Sequence, residues 1–122
     1  MNSFTRAYIH CALWSSSDDN DDSLFDRYGL DDIDSKTLSE MKQDCERFIE
    51  GLDDLISPLV EDNYVFDDDQ AGHDFWLTRN GHGAGFWDGD WPEAIETILD
   101  DRAKSFRTFD LYIGDDGKIH GY

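Results

Sequence analysis

The sequence has few of the residues that would mark a secreted or membrane-spanning protein. Its two cysteines, Cys11 and Cys45, are too few for a disulfide scaffold. Each falls on the apolar stripe of a predicted helix, so we expect buried free thiols. The longest apolar runs are far shorter than the roughly 20 residues of a membrane span, and no secretory signal pattern opens the chain. We therefore expect a cytoplasmic protein.

Basic residues are also scarce. Ten Lys and Arg oppose 29 Asp and Glu, which gives a formal net charge of −19. Such a surface repels nucleic acid and attracts strongly basic partners, which in a cell are mostly proteins that hold DNA or RNA. Little positive charge is left to stabilise an anionic transition state, and neither a Gly-rich phosphate loop nor a nucleophile elbow is present. We expect no catalytic activity and no cofactor.

The acidic residues are mainly aspartate. Asp accounts for 23 of the 29, and its short side chain holds the carboxylate close to the backbone with few rotamers to lose. Duplex DNA carries one charge per ~1.7 Å, so nineteen charges correspond to roughly 32 Å of duplex, about the diameter of a compact domain of this size. The composition favours imitation of a phosphate backbone. General solubility and adaptation to a high-salt source are the alternatives.

Hydrophobic periodicity predicts three helices in a single domain, residues 1–122, with enough apolar residues for a core. The first helix covers residues 4–15, with Ser3 as its cap. The second begins at Asp34 or Ser35 and continues to about residue 57, where Pro58 ends or kinks it. The third covers residues 92–105, with Pro92 at its first position.

Two hairpins complete the predicted fold, an α+β domain in the order α-α-β-β-α-β-β with a small antiparallel sheet. One has strands at 109–113 and 118–122. The other covers 73–88 around Asn80-Gly81, a preferred pair for a type I′ turn. In that register, Trp76 and Thr78 lie opposite glycines, which leave a shallow floor. This floor allows Trp76 to fold across it, a helix to pack closely, or a ligand to bind. The scaffold of this hairpin consists of His73, Trp76, Asn80, Gly81, Trp87 and Asp88.

Metal sites find little support in the sequence. In the predicted hairpin, His73 and His82 lie roughly 20 Å apart, too far for one ion. His73 and the nearby Asp74, Asp88 and Asp90 form a candidate polar cluster, for which hydrogen bonding is favoured over ligation. The acidic stretch from residue 18 resembles a calcium loop superficially, but it lacks the Gly of the sharp turn and the final bidentate Glu. We expect no metal.

The aromatic segment resembles one shared by a group of small phage and mobile-element proteins, here at residues 72–88: Gly-His-Asp-Phe-Trp-Leu-Thr-Arg-Asn-Gly-His-Gly-Ala-Gly-Phe-Trp-Asp. The likeness extends more loosely over residues 12–14, 44–48 and 110–117. These proteins are known mainly as hypothetical, so the resemblance implies a genetic setting rather than an activity. In size and charge, the chain is similar to the phage DNA-mimic antirestriction proteins and to several anti-CRISPR proteins, without sharing their sequences.

These observations lead to the hypothesis of a non-enzymatic inhibitor that covers the nucleic-acid-binding surface of a basic host defence protein, such as a Cas complex, a restriction enzyme or a DNA-repair nuclease. A homodimer would double the length of the imitated duplex. The alternatives are a phage structural or assembly protein that docks through Trp76, Trp87 and Trp91, and a metal-dependent or hydrolytic enzyme organised around His73, Asp74 and Asp88. The predicted partner-binding residues are Asp18, Asp19, Asp21, Asp22, Asp31, Asp32, Asp34, Asp53, Asp54, Asp67, Asp68 and Asp69.

Overall fold

A computed structural model describes residues 1–18, 20–82, 84–88 and 90–122. Helices and one two-stranded antiparallel sheet occur together in these ranges, which confirms the α+β class. None of the described helices is long and apolar enough to cross a membrane. The α-helices and strands are α1 (Ser3–Ser15), α2 (Leu24–Arg27), α3 (Ser35–Ile49), α4 (Leu52–Ile56), α5 (Asp68–Arg79), α6 (Glu93–Lys104), β1 (Leu111–Ile113) and β2 (Ile119–Gly121). Short 3₁₀ helices lie at Leu30–Asp32, Ser57–Leu59 and Phe86–Asp88.

The first predicted helix is confirmed as α1, but its cap is one residue earlier than expected. The side chain of Asn2, not Ser3, accepts the backbone N–H of Thr5 at 2.8 Å. This bond satisfies one of the free N–H groups of the first turn. Ser3 is therefore the first residue inside the helix.

The second predicted helix is divided in two. The predicted start is confirmed, with Asp34 as the cap of α3, yet Gly51 adopts a left-handed conformation with φ of +71° and separates α3 from α4. Glycine takes this conformation without the Cβ clash that other residues suffer. The end of α3 is held from α6, where the guanidinium of Arg102 donates to the carbonyl oxygens of Arg47, Phe48 and Glu50.

The predicted hairpin at 73–88 is wrong, because its first half is the helix α5. The Asn80-Gly81 pair ends this helix instead of turning between two strands. The N–H of Gly81 donates to the Thr78 carbonyl at 3.2 Å and that of His82 to the Leu77 carbonyl at 3.0 Å, which is a Schellman motif. Gly81 has a φ of +69°, a conformation that a type I′ turn also requires, so the local signal fitted both structures.

Burial explains why α5 prevails over the hairpin. The helix is buried on most sides, and at Gly72 it lies so close to α1 that a Cβ there would be 2.1 Å from the Phe4 carbonyl oxygen. The chain after α5 folds back along it, since the N–H of Phe86 donates to Thr78 Oγ1 at 3.1 Å. Gly83, one of the glycines predicted to face Thr78 or Trp76, lies outside the described residues. The predicted element order therefore fails at this segment, and the described residues form six α-helices instead of the three predicted.

The C-terminal hairpin is confirmed. Strands β1 and β2 pair antiparallel with Tyr112 opposite His120. Gly114 and Gly117 bound its turn, and the N–H of Gly117 donates to the Gly114 carbonyl at 3.0 Å. A backbone bond of 2.8 Å from Asp34 to the carbonyl of Ile119 attaches the hairpin to the chain just before α3.

Stacked aromatic rings form the centre of the core. Phe48 of α3 lies 4.4 Å from Phe75 of α5, 5.4 Å from Phe4 of α1 and 5.7 Å from Phe86, measured between ring centroids. All four side chains are buried. Aromatic pairs at these distances stabilise a core beyond the area that they bury. The third predicted helix is confirmed as α6, although Pro92 is its cap and not its first residue. This helix adds Ile95, Leu99 and Ala103 to the core.

Candidate functional site

Many of the predicted partner-binding carboxylates lie at the beginnings of helices. Asp34 accepts the N–H groups of Lys36 and Thr37 and so caps α3, while Asp67 accepts the N–H of Gln70 at 3.0 Å and caps α5. Helix N-termini stabilise negative charge, and the capping bonds fix the carboxylates in place. The first turns of the helices hold further predicted residues: Asp53 and Asp54 in α4, and Asp68 and Asp69 in α5.

Two neighbouring grooves join several of these carboxylates into one surface. Phe66 lines both a groove of about 330 Å³ that includes Asp53 and one of about 380 Å³ that includes Asp67 to Asp69. The two sets therefore lie side by side. Glu61 and Asp62 line the first groove as well, although they were not among the predicted contacts. We call this surface the acidic face: Asp53, Glu61, Asp62, Asp67, Asp68 and Asp69.

Other predicted residues belong to a separate tight loop after α1. Asp18 accepts the N–H groups of Asn20 and Asp22 at 2.9 and 3.1 Å, and its side chain is only 7% exposed. Arg27 of α2 contacts both Asp18 and Asp22. Asp18 therefore stabilises the loop rather than facing a partner. Asp21 is exposed, and Asp19 lies outside the described residues.

Asp31 and Asp32 form the short 3₁₀ helix before α3. Asp32 accepts the N–H of Gly29 at 2.8 Å, so one of its oxygens is used within the chain. Both residues are exposed. Neither residue lines the two grooves of the acidic face. Asp31 and Asp32 therefore form a second acidic cluster, just before α3.

Of the described basic residues, Arg79 alone is buried. Arg79 is 5% exposed; it donates to Asp44 at 2.9 Å, to the Tyr8 hydroxyl at 2.9 Å and to the Arg107 carbonyl. Arg79 is thus paired with Asp44, outside the acidic face. Contacts within the chain also occupy the basic side chains of Arg27, Arg47, Arg102 and Lys104.

The predicted aromatic docking patch is not a surface. Trp76 is 2% and Trp91 6% exposed, and only Trp87, at 51%, reaches solvent. Trp76 donates its indole N–H to Ser15 at 2.7 Å, which ties α5 to the end of α1. Asn80, predicted in a turn, instead accepts the N–H of Phe109 at 2.8 Å. The alternative of docking through three tryptophans loses its geometric basis.

The polar cluster predicted around His73 is assembled in part. Asp74 is 1% exposed and accepts the indole N–H of Trp91 at 2.8 Å and the amide of Gln70 at 3.0 Å. His73 Nδ1 lies 3.4 Å from the same carboxylate. Asp88 accepts the N–H of Gly85, and its charge is the main cause that raises the pKa of the Asp90 carboxyl, to which the Asp74 charge adds. Asp74 thus holds Trp91 against α5.

Three potential metal ligands, none of them predicted, lie together at the C-terminal hairpin. Oxygens of Asp34 and Asp116 and a ring nitrogen of His120 lie within 4.8 Å of one another. Each group already has a partner in the chain: Asp34 caps α3, and His120 Nε2 lies 3.0 Å from Asp116. The cluster clamps the hairpin turn to the start of α3. Asp116 and His120 are four residues apart, but Asp34 lies far earlier in the chain, so no local spacing motif joins all three.

The cysteines are buried free thiols, as predicted. Burial raises the pKa of Cys11 to about 12, with the Asp74 charge as a second cause, and burial likewise raises that of Cys45 to about 12. A thiol reacts as the thiolate. Neither group is therefore a nucleophile at neutral pH.

A groove of about 550 Å³ lies between α1 and the first turns of α5. Trp14 and Phe25 line it and are 64% and 49% exposed, and the buried Cys11 forms part of its floor. The helical spacing of the α1 residues was visible in the sequence, but their pairing with α5 was not. We call this the α1–α5 groove, lined by Ala7, His10, Cys11, Trp14, Phe25, Asp67, Asp69, Gln70 and His73.

Comparison with family models, with curated proteins and with solved structures found no match for this chain. The fold and the surface together define an acidic α+β domain in which several carboxylates lie at helix starts. Its function is therefore argued from the chemistry of that surface alone.

Proposed function

We propose that this protein is a phage or mobile-element inhibitor of a host defence protein, of the anti-CRISPR or antirestriction kind, that acts as a DNA mimic in the host cytoplasm. The acidic face carries the proposal. Its carboxylates present a dense negative surface in the way that a phosphate backbone does, and they would cover the basic surface that the target uses for nucleic acid.

The fixed placement of the carboxylates supports mimicry over a purely solubilising role. Asp67 is held by its capping bond to Gln70, and the hydroxyl of Ser57 donates to Asp53 at 3.3 Å. A carboxylate that is already ordered loses less conformational entropy when it pairs with a partner's Lys or Arg. Charge-assisted hydrogen bonds to such cations are short and strong.

The absence of basic residues from the two grooves supports the same proposal. No Lys or Arg is found among the described residues that line the grooves of the acidic face. A basic protein that approaches this face therefore meets carboxylates with no cation beside them in the grooves. The field of these carboxylates steers association and weakens with added salt.

The test is capture of proteins from a host lysate at low salt by three immobilised forms of the chain. The first is wild type, and the second carries Asn in place of Asp53, Asp62, Asp67, Asp68 and Asp69, since Asn also caps helices. A matched control neutralises the same number of exposed carboxylates outside the acidic face: Asp26, Glu46, Asp101, Asp110 and Asp115.

We expect wild type and the matched control to retain a DNA-binding protein that competing duplex DNA releases, and the acidic-face variant to lose it. Equal loss in both variants would mean that net charge alone carries the binding, as in the solubility alternative. Retention by all three forms, or insensitivity of the captured protein to duplex and salt, would contradict mimicry.

A further inference from the structure

We infer that the α1–α5 groove binds an arginine side chain of the basic partner together with an adjacent apolar side chain. This inference rests on the proposed function, which supplies a basic protein surface as the partner. Imitation of DNA by negative charge alone does not require this groove. The groove would add a specific contact with the partner.

The first observation is the exposure of two aromatic side chains in a strongly charged protein. Trp14 is 64% and Phe25 49% exposed, and both line the groove. The ring of His10 packs edge-on against Phe25 at 5.9 Å and so restrains it. A guanidinium stacks on the faces of such rings, with Trp as the best partner.

The second observation is the charge of the opposite wall. Asp67 and Asp69 line the groove where α5 begins, and no Lys or Arg is found among the described residues that line it. Both aspartates are exposed and negative beside the aromatic rings. A cation in the groove therefore has carboxylates on one side and aromatic faces on the other.

The third observation concerns the floor and the size of the groove. Ala7 and the protonated Cys11 are apolar, and the volume of about 550 Å³ exceeds what one guanidinium fills. The remaining space fits an aliphatic side chain next to the arginine. Arginine is favoured over lysine because its planar fork can stack and pair with carboxylates at once, whereas an ammonium is a compact and more strongly hydrated charge.

The inference is tested with two capped, fluorescently labelled peptides, Gly-Arg-Leu-Arg-Gly and Gly-Lys-Leu-Lys-Gly, titrated with the intact chain. Two variants without any change in charge are compared. Trp14→Ala removes the aromatic wall, and Trp87→Ala removes another exposed tryptophan, 51% against 64%, that does not line the groove. Long-range attraction to the acidic chain is the same in both variants, so their difference isolates the groove.

We expect wild type and Trp87→Ala to bind the arginine peptide about three- to tenfold more tightly than the lysine peptide. Trp14→Ala should lose that factor and bind both peptides alike. Asp69→Asn should weaken binding more than Asp54→Asn, since both are exposed in first helical turns but only Asp69 lines the groove. Circular dichroism verifies that each variant is folded.

Equal affinity of Trp14→Ala and Trp87→Ala for the arginine peptide, or equal affinity of wild type for both peptides, would overturn the inference. Failure of mimicry looks different, because wild type would then capture no protein that duplex DNA releases. If Trp14→Ala captures such a protein as well as wild type does, mimicry stands and the groove has no part in it.

Discussion

Asp74 is a buried carboxylate in a chain whose other described carboxylates all reach the surface at least in part. Burial of such a charge is unfavourable unless hydrogen bonds replace those to water. Trp91 and Gln70 supply these bonds at 2.8 and 3.0 Å. The most aromatic part of the sequence is therefore organised around a single acid.

Replacing the Trp91 indole with a ring that has no N–H donor should show how much its hydrogen bond to Asp74 stabilises the fold. We expect Trp91→Phe to lower the free energy of unfolding by about 2 kcal/mol, because it leaves a buried charge short of a hydrogen bond. Urea denaturation is the measurement, and Trp87→Phe at an exposed position is the control, with a change below about 0.5 kcal/mol. Equal effects of the two substitutions would show that the bond to Asp74 contributes nothing.

The Asp116–His120 pair makes the stability of the C-terminal hairpin depend on pH in the acidic range. The hydrogen bond with the His120 ring lowers the pKa of the Asp116 carboxyl, and the N–H of Lys118 adds to this effect. A carboxyl whose folded pKa is depressed stabilises the fold above its unfolded pKa of about 3.9. That stabilisation is lost as the pH falls through the folded pKa, below about pH 4.

A carbon-detected NMR titration of the side-chain carboxyls should place the Asp116 midpoint below about 3.9 in the native protein. The midpoint should rise in His120→Asn, which removes the ring while the backbone bond from Lys118 can remain. A midpoint unaffected by this substitution would contradict the assigned role of His120.

The contact between α1 and α5 depends on a glycine in the middle of a helix. A Cβ at position 72 would lie 2.1 Å from the Phe4 carbonyl oxygen and 3.0 Å from the Tyr8 nitrogen. Both are backbone atoms, so relief requires the helices to separate. Loss of this close approach would disturb the core on both sides of the pair.

Two opposing effects decide the outcome of Gly72→Ala. Alanine favours the helix by about 1 kcal/mol, while overpacking against a backbone costs about 1–3 kcal/mol or more. We expect net destabilisation in thermal or urea unfolding, because the clash is with backbone. Gly29→Ala, where a Cβ would meet nothing within 4 Å, should change stability by less than about 0.5 kcal/mol. A stabilised Gly72→Ala would show that the two helices are not in close contact.

The helices α1, α3 and α6 were predictable because each has an apolar stripe and a residue that marks its beginning. The helix α5 was not, because it is buried on most sides and lacks such a stripe. One signal for it was present: Asp67 stands three residues before Gln70, a spacing typical of helix caps. The stronger Asn80-Gly81 signal, which fits a hairpin and a helix end equally well, outweighed it.

Part of the candidate site could likewise be predicted from the sequence, and part could not. Exposure of Asp53 and Asp67 to Asp69 followed from composition and local pattern. The burial of Asp18 beside Arg27 did not, since it depends on how a loop folds onto α2. The α1–α5 groove could not be predicted either, because Trp14 meets Asp69 there only after two distant helices pack together.

The net charge of −19 predicts an effect of salt on stability that is opposite to its effect on partner binding. Screening of the mutual repulsion between carboxylates should raise the Tm by several degrees between roughly 0.01 and 1 M NaCl. The acidic-face variant, with fewer charges, should show a smaller rise. Calorimetry measures both, with sucrose as the uncharged control.

The same measurements over a range of salt concentrations distinguish mimicry from adaptation to a high-salt source. A mimic of DNA should remain folded at 0.01 M salt, where its attraction to basic surfaces is greatest. Unfolding at that concentration, seen as loss of the far-ultraviolet helix signal, would favour salt adaptation over mimicry. A Tm that does not change with salt would show that the carboxylates barely repel one another.

The hydrogen bonds of Arg102 couple the unfolding of α6 to that of the end of α3. These bonds to the last carbonyls of α3 reach across 54 residues of sequence to Phe48, so the end of α3 is complete only while α6 is docked. In native-state hydrogen exchange, the amides of these two segments should therefore share one opening free energy and behave as a single foldon. The protein would then lose α6 and the end of α3 in one step, and neither would fray alone.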